Sequence, residues 1–341
     1  MKKIVQVGMC PIFNWPKDYN WGETDKHKTF GGHWEKYSGV GGVGDEIAMR
    51  MFFQPYTQYK AIKTKYPDFY FKHYSSVHPR EYDPNPLFNG GSVLSLYENN
   101  PYIDEIVPID NEEIYNTDFY RAGSSNCKNE QDGLQWFLRS LDNYLLEIRS
   151  KYKEIALEDI LQAEDIELNE EPPCLYLGEK NERFAHEALA GLKRPLIGIQ
   201  VNKSANNIIE LLPGLCEDIQ KILPNSTVVL VGTTEVPRRW IGKNVVSFSG
   251  KTNLLQCISI IDNLDLFLCM FSGLMYSAFI RKTPTIVWAE EEKGSTQLGH
   301  IDWYSKNLKL DPEKNKFIVK DSLSVTDVLQ HVSDISALLC L

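Results

Sequence analysis

Short runs of β-branched and apolar residues alternate along this chain with longer helical patterns, and that alternation limits the fold more than any other feature. In the second half the apolar runs are PLIGIQV, TVVLVG, DLFLCMF and TPTIVWAE, separated by LPGLCEDIQKIL, NLLQCISIIDN and GLMYSAFI. The first half has KIVQVGM, FYFKHY and DEIVPID, with helical patterns from Asp45 to about Tyr66 and near SVLSLYENN. Strands separated by helices pair in parallel and have their faces covered by those helices. The expected class is α/β, built as two halves.

A length of 341 residues fits two domains better than one core. The acidic stretch KYKEIALEDILQAEDIELNEEPPCLYLG, with Pro172 and Pro173, puts the expected linker near residues 165–190 and the expected domains at 1–175 and 176–341. In SVTDVLQHVSDISALLCL, apolar residues at Val325, Val328, Leu329, Val332 and Ile335 predict a closing helix. The opening MKKIVQVGMCPIF reads as a first strand rather than a leader, and no run reaches the roughly 20 apolar residues of a membrane span.

Charge and cysteine usage narrow the partners. With 36 basic and 46 acidic residues the net charge is -10, which gives no global positive field for steering a phosphate backbone. The seven cysteines are scattered, odd in number and without a C-x-x-C pair, which fits a reducing cytoplasm and neither a zinc ribbon nor a disulfide framework. The seven histidines show no H-x-x-x-H spacing, so no metal site is expected.

Four glycines fall within six positions at Gly39, Gly41, Gly42 and Gly44, directly before Asp45. Gly39, Gly41 and Gly44 match the G-x-G-x-x-G dinucleotide pattern, but that pattern needs a strand immediately before it, and FGGHWEKYS is not one. The glycines do allow close approach of a ligand to backbone at a helix start. Asp45 has a plain structural role open to it there, since an acid at a helix start interacts well with the dipole. SGKT at Ser249–Thr252 is not a P-loop, because Val245 stands where the leading glycine belongs. Lys251 and Thr252 can meet a phosphate, and a turn opening the next helix explains them equally well.

Taken together, GGVGDEIAMRMFFQPYTQYKAIKTKYPDFYFKHY, LYENNPYIDEIVPID, PLIGIQVNKS, NSTVVLVGTTE and VVSFSGKTNLLQCISIIDNLDLFLCMFSGLMYSAFIRKTPTIVWAE resemble the heptosyltransferase-like glycosyltransferases of family 9. The resemblance runs discontinuously from Gly41 to Glu290. It implies a GT-B fold, two Rossmann-like domains facing a central cleft, with the acceptor on the N-terminal domain and a nucleotide-diphosphate sugar on the C-terminal one. It implies Asp45 as catalytic base and Gly41, Gly42 and Gly44 on the acceptor side. Donor phosphates would meet Ser272 and Gly273, with Lys203, Lys251 and Thr252 as further candidates. No cofactor beyond the sugar donor is expected, and the family's usual acceptor is a bacterial surface glycan such as lipopolysaccharide core.

The chain departs from that family at two places. Phe271 and Tyr276 stand where the family's Asp-Thr-Gly-x-x-His element has its acid and histidine, and NKSANNIIELLPG replaces the customary basic-Trp-Pro run. These losses leave open a donor other than ADP-heptose and a non-catalytic nucleotide-sugar binder. The first reading is a metal-independent, inverting transferase, and the absence of any Asp-x-Asp pair argues against the metal-dependent class. A nucleotide-sugar epimerase or phosphorylase on the same scaffold stays open, as do protein or nucleobase acceptors, nucleic acid being disfavoured by the charge.

Overall fold

The strands assemble into two parallel sheets. The computed structural model describes residues 3–7, 56–77, 96–110, 113, 116–118, 121–122, 140, 143–156, 160, 174–201, 206–270, 272–289, 310–319 and 325–338. Backbone contacts divide the chain into two compact units, and the described residues from Cys174 onward belong to the second.

In the first unit, β1 (Lys3–Val7), β2 (Phe69–Val77), β3 (Glu105–Asp110) and β4 (Ile155–Ala156) lie in the order β3-β2-β1-β4, all parallel. Helix α1 (Tyr56–Lys65) leads into β2. Asp104 ties them together, accepting from the Phe71 N–H at 2.8 Å and pairing with Lys63 of α1. The NPYIDE stretch therefore has a structural explanation: buried Asn100 accepts from the Tyr102 N–H at 2.9 Å to make the turn, and Asp104 anchors the start of β3 against β2. At the β4 edge the Tyr74 hydroxyl donates to both carboxylate oxygens of Glu154, at 2.9 and 3.1 Å, with the Lys72 ammonium 3.6 Å away. Burial and that carboxylate push the Tyr74 phenol above its ordinary range.

In the second unit, β5 (Leu196–Val201), β6 (Thr227–Gly232), β7 (Val245–Ser247), β8 (Leu266–Met270), β9 (Thr285–Ala289) and β10 (Asn315–Val319) form one parallel sheet. Its order is β7-β6-β5-β8-β9-β10. Counting from β5 this is 3-2-1-4-5-6, the doubly wound dinucleotide-fold order. Every residue of β5 and β6 is buried, which is why their sequences are continuous apolar runs rather than alternating ones.

The helices of this unit are α2 (Glu179–Leu189), α3 (Asn206–Ile222), α4 (Leu254–Asp262), α5 (Gly273–Arg281) and α6 (Val325–Leu338). One face of the sheet packs Ile197, Ile199, Val228, Leu230, Leu266, Leu268 and Ile286 against Leu212 and Ile219 of α3 and Val328, Val332 and Ile335 of α6. The predicted closing helix is thus α6. On the opposite face, a Cβ on Gly198 of β5 would come within 2.2 Å of a Leu264 methyl, just beyond α4. Helix α4 contacts both α2 and α5, and its burial at seven positions follows from having a sheet on one side and α2 on the other.

Two expectations change. The linker predicted over 165–190 is not a linker in its second half, because Glu179–Leu189 is helix α2 of the second unit. Its polar sequence misleads: Ala185 and Leu189 alone are buried, a stripe just wide enough to lie on α4. Strands β7 and β10 also extend the sheet beyond the runs read from the sequence.

The described cysteines, Cys174, Cys216, Cys257 and Cys269, are free thiols. Burial pushes Cys216 and Cys257 from 9.0 up to about 12. The unfolded thiols ionise first, so this stabilisation is complete below about pH 9 and is lost as the pH climbs toward 12.

Candidate functional site

In a doubly wound sheet the chain leaves the first strand in one direction and re-enters beside it from the other, which opens a crevice at the carboxyl ends. Here the switch lies between β5 and β8. Their register runs from Ile197 with Leu266 to Ile199 with Leu268. Beyond it the strands part, and the Met270 N–H finds its acceptor in a side chain, Gln200 Oε1, at 3.2 Å.

Ser272 and Gly273 sit at this crevice, Ser272 as the N-cap of α5 in extended conformation (φ -161°, ψ 173°). Its side chain makes no capping bond to its own helix. The hydroxyl instead donates to Gln200 Oε1 at 3.0 Å. A serine N-cap ordinarily satisfies one of the free N–H groups of the first turn. The Met275 N–H donates to the Ser272 carbonyl at 3.1 Å, and with the Ser272 hydroxyl turned to Gln200 no side chain caps the Gly273 and Leu274 N–H groups at the positive end of the helix dipole.

Helix α4 is equipped differently. Asn253 caps it by accepting from the Gln256 N–H at 2.9 Å, and the Gln256 side chain accepts from the Asn253 N–H at 3.1 Å. That reciprocal capping box uses the donors another molecule would need. Lys251 and Thr252 lie in the turn just before it. The Lys251 ammonium donates to the Ser247 carbonyl at 3.0 Å, and the Thr252 hydroxyl, in a residue 1 % exposed, reaches the Phe248 carbonyl at 3.4 Å. Both side chains thus brace the β7–α4 turn.

Gly232 closes the carboxyl end of β6 against β5. Its φ is +131°, and the Thr233 and Thr234 N–H groups donate to the Val201 carbonyl at 3.2 and 3.4 Å. The Gly250 N–H, from the β7–α4 turn, donates to the Gly232 carbonyl at 2.9 Å. The turns after β6 and β7 are thereby fixed to the end of β5, one strand from the α5 N-terminus.

The structure brings Ser272 and Gly273 together at the switch point and places Lys251 and Thr252 beyond β6, at the end of β7. Asp45, Gly41, Gly42, Gly44, Lys203 and Phe271 lie outside the described residues. Tyr276, set against the histidine of the family that the sequence resembles, is 5 % exposed in α5. Sequence reasoning misses Gln200. Its only signal is a polar residue near the end of an otherwise apolar strand. No group of histidine, cysteine, aspartate and glutamate that could hold a metal occurs among the described residues. No helix among them is long and apolar enough to cross a membrane.

Among solved structures, the chain is similar to the ADP-heptose lipopolysaccharide heptosyltransferase II of E. coli, with a TM-score of 0.53 and 13% identity over 99% of this chain and 100% of that one. It is similar also to a family 9 glycosyl transferase from Veillonella parvula, at TM-score 0.49 and 12% identity over 97% and 96% of the two chains. An E. coli heptosyltransferase solved with ADP comes next at TM-score 0.48 and 9% identity, over 87% and 96%. No protein-family model and no curated protein matches the sequence. The first likeness shows the fold, the two-domain α/β GT-B class.

Proposed function

We propose that this chain is a glycosyltransferase that moves a sugar from a nucleotide-diphosphate donor to an acceptor hydroxyl, with inversion and without a metal. The observation that carries the reading is the start of α5. Its N-cap hydroxyl is turned away from its own helix, at the topological switch point of a doubly wound sheet, and this leaves a ready anion site. The fold shared with a heptosyltransferase supports the same reading.

In this proposal the donor diphosphate lies over Ser272 and Gly273, with Lys203 and Lys251 adding positive charge. Thr252 serves chiefly to hold the Lys251 turn. Asp45 takes the proton of the acceptor hydroxyl as its oxygen attacks the anomeric carbon, and Gly41, Gly42 and Gly44 let the acceptor approach. The bond from that carbon to the diphosphate breaks on the opposite face, and the α5 amides stabilise the charge that develops on the leaving group. No cofactor takes part beyond the donor. A surface-glycan acceptor and a cytoplasmic setting complete the reading, and nucleic acid is disfavoured by the net charge of -10.

A second reading, a nucleotide-sugar binder without turnover, is favoured by one observation. Tyr276 is a buried phenol where the family has a histidine.

Gly273→Val tests the donor site under either reading. A branched side chain at the first position of α5 obstructs a phosphate while leaving the sheet intact, so calorimetric titration should show donor affinity reduced by roughly tenfold or more. Unchanged affinity would move the diphosphate elsewhere.

A further inference from the structure

Gln200 is 3 % exposed and sits in β5 among Ile197, Ile199 and Val201, all apolar and buried. Burying an amide costs free energy unless its donors and acceptors are used. Its two hydrogen bonds, from the Met270 N–H and the Ser272 hydroxyl, both fall on Oε1. A backbone N–H can only donate, so Met270 fixes the oxygen on this side and leaves both N–H donors of Nε2 to point elsewhere. Among the described residues no group accepts from Nε2. It lies one amide group away from the Ser272 hydroxyl, beside the uncapped first turn of α5.

We propose that Gln200 is a diphosphate-binding residue, its Nε2 donating to a phosphate oxygen of the nucleoside diphosphate held at the start of α5. The inference rests on the transferase reading and deepens it. The chemistry selects the ligand: the amide donors that Oε1 leaves over belong to the side chain that holds the α5 N-cap, and donors without acceptors suit an oxygen-rich anion and repel a cation. One side chain then has two tasks. Oε1 holds the turn between β8 and α5 in place, and Nε2 reads the ligand that the turn receives.

Calorimetric titration of ADP, GDP, UDP and CDP, with the nucleoside matching whichever binds, tests this on the full chain. Gln200→Glu keeps an oxygen for Met270 and Ser272 and puts a carboxylate oxygen where Nε2 stood. The diphosphate Kd should weaken by about tenfold or more, with the nucleoside Kd unchanged. Gln200→Asn, uncharged and one methylene shorter, should weaken the diphosphate selectively in the same direction, and it decides the matter if the glutamate variant loses its cooperative melt. Unchanged diphosphate affinity in a folded variant overturns the inference. Equal weakening of nucleoside and diphosphate also overturns it, since that is the mark of a merely structural side chain. Wild type binding none of the four diphosphates overturns the transferase reading itself, and this inference with it.

Discussion

Asp45→Asn should slow sugar transfer by roughly 10²- to 10⁴-fold while donor affinity stays close to wild type. Asparagine keeps the size of aspartate and its ability to face a helix start, but it cannot take a proton at neutral pH. The effect should therefore fall on kcat, since the donor phosphates are assigned to the other half of the chain. Single-turnover transfer with saturating donor gives the number. Transfer at the wild-type rate would return Asp45 to its role as a helix-start acid and send the search for a base to Glu46 or His33.

The largest expected loss of stability is at Gly232. A Cβ there would stand 2.2 Å from the Val201 carbonyl oxygen and 3.0 Å from its carbon, both backbone atoms inside a buried strand. Its φ of +131° is in the region that only glycine enters without strain. Movement to relieve the clash is opposed from two sides, by the Thr233 and Thr234 bonds to Val201 and by the Gly250 bond to Gly232. Gly232→Ala should cost about 3 kcal/mol or more, read as a fall in the urea midpoint. Gly191→Ala is the control: it too has positive φ, +77°, but nothing lies within 4 Å of its Cβ, and it should cost only about 1 kcal/mol. Equal losses in the two variants would mean that strain alone, and not the close approach to β5, matters at Gly232.

The central sheet of the second unit is legible in the sequence because burial and residue pattern agree there. TVVLVG is buried at every position and reads as a strand with the bounds it has, Thr227–Gly232. The edges are harder. In β10 the run NKFIV buries Ile318 and leaves Asn315 and Lys316 partly accessible, so only a short apolar signal remains. Helix α2 has the composition of a linker, since two buried residues suffice to seat it on α4. At the site, Ser272 and Gly273 can be found from the sequence through the resemblance, which sets FSGLMY against the family's Asp-Thr-Gly-x-x-His element. Gln200 cannot, since its partners Met270 and Ser272 lie 70 and 72 residues away in the chain. Lys251 shows the opposite limit: its sequence fits a phosphate contact or a turn, and only the 3.0 Å bond to the Ser247 carbonyl reveals what it does in the turn.

The central claim is that the second unit binds a nucleotide-diphosphate sugar, and a thermal-shift panel of nucleotide-sugars tests it most directly. A ligand at a hundred times its Kd should stabilise the fold by about 2.7 kcal/mol, so at least one nucleotide-sugar should raise the Tm, and Gly273→Val should abolish that rise at the same concentration. Stabilisation by NAD and by no nucleotide-sugar would contradict the account and return the function to the glycine cluster at Gly39–Gly44.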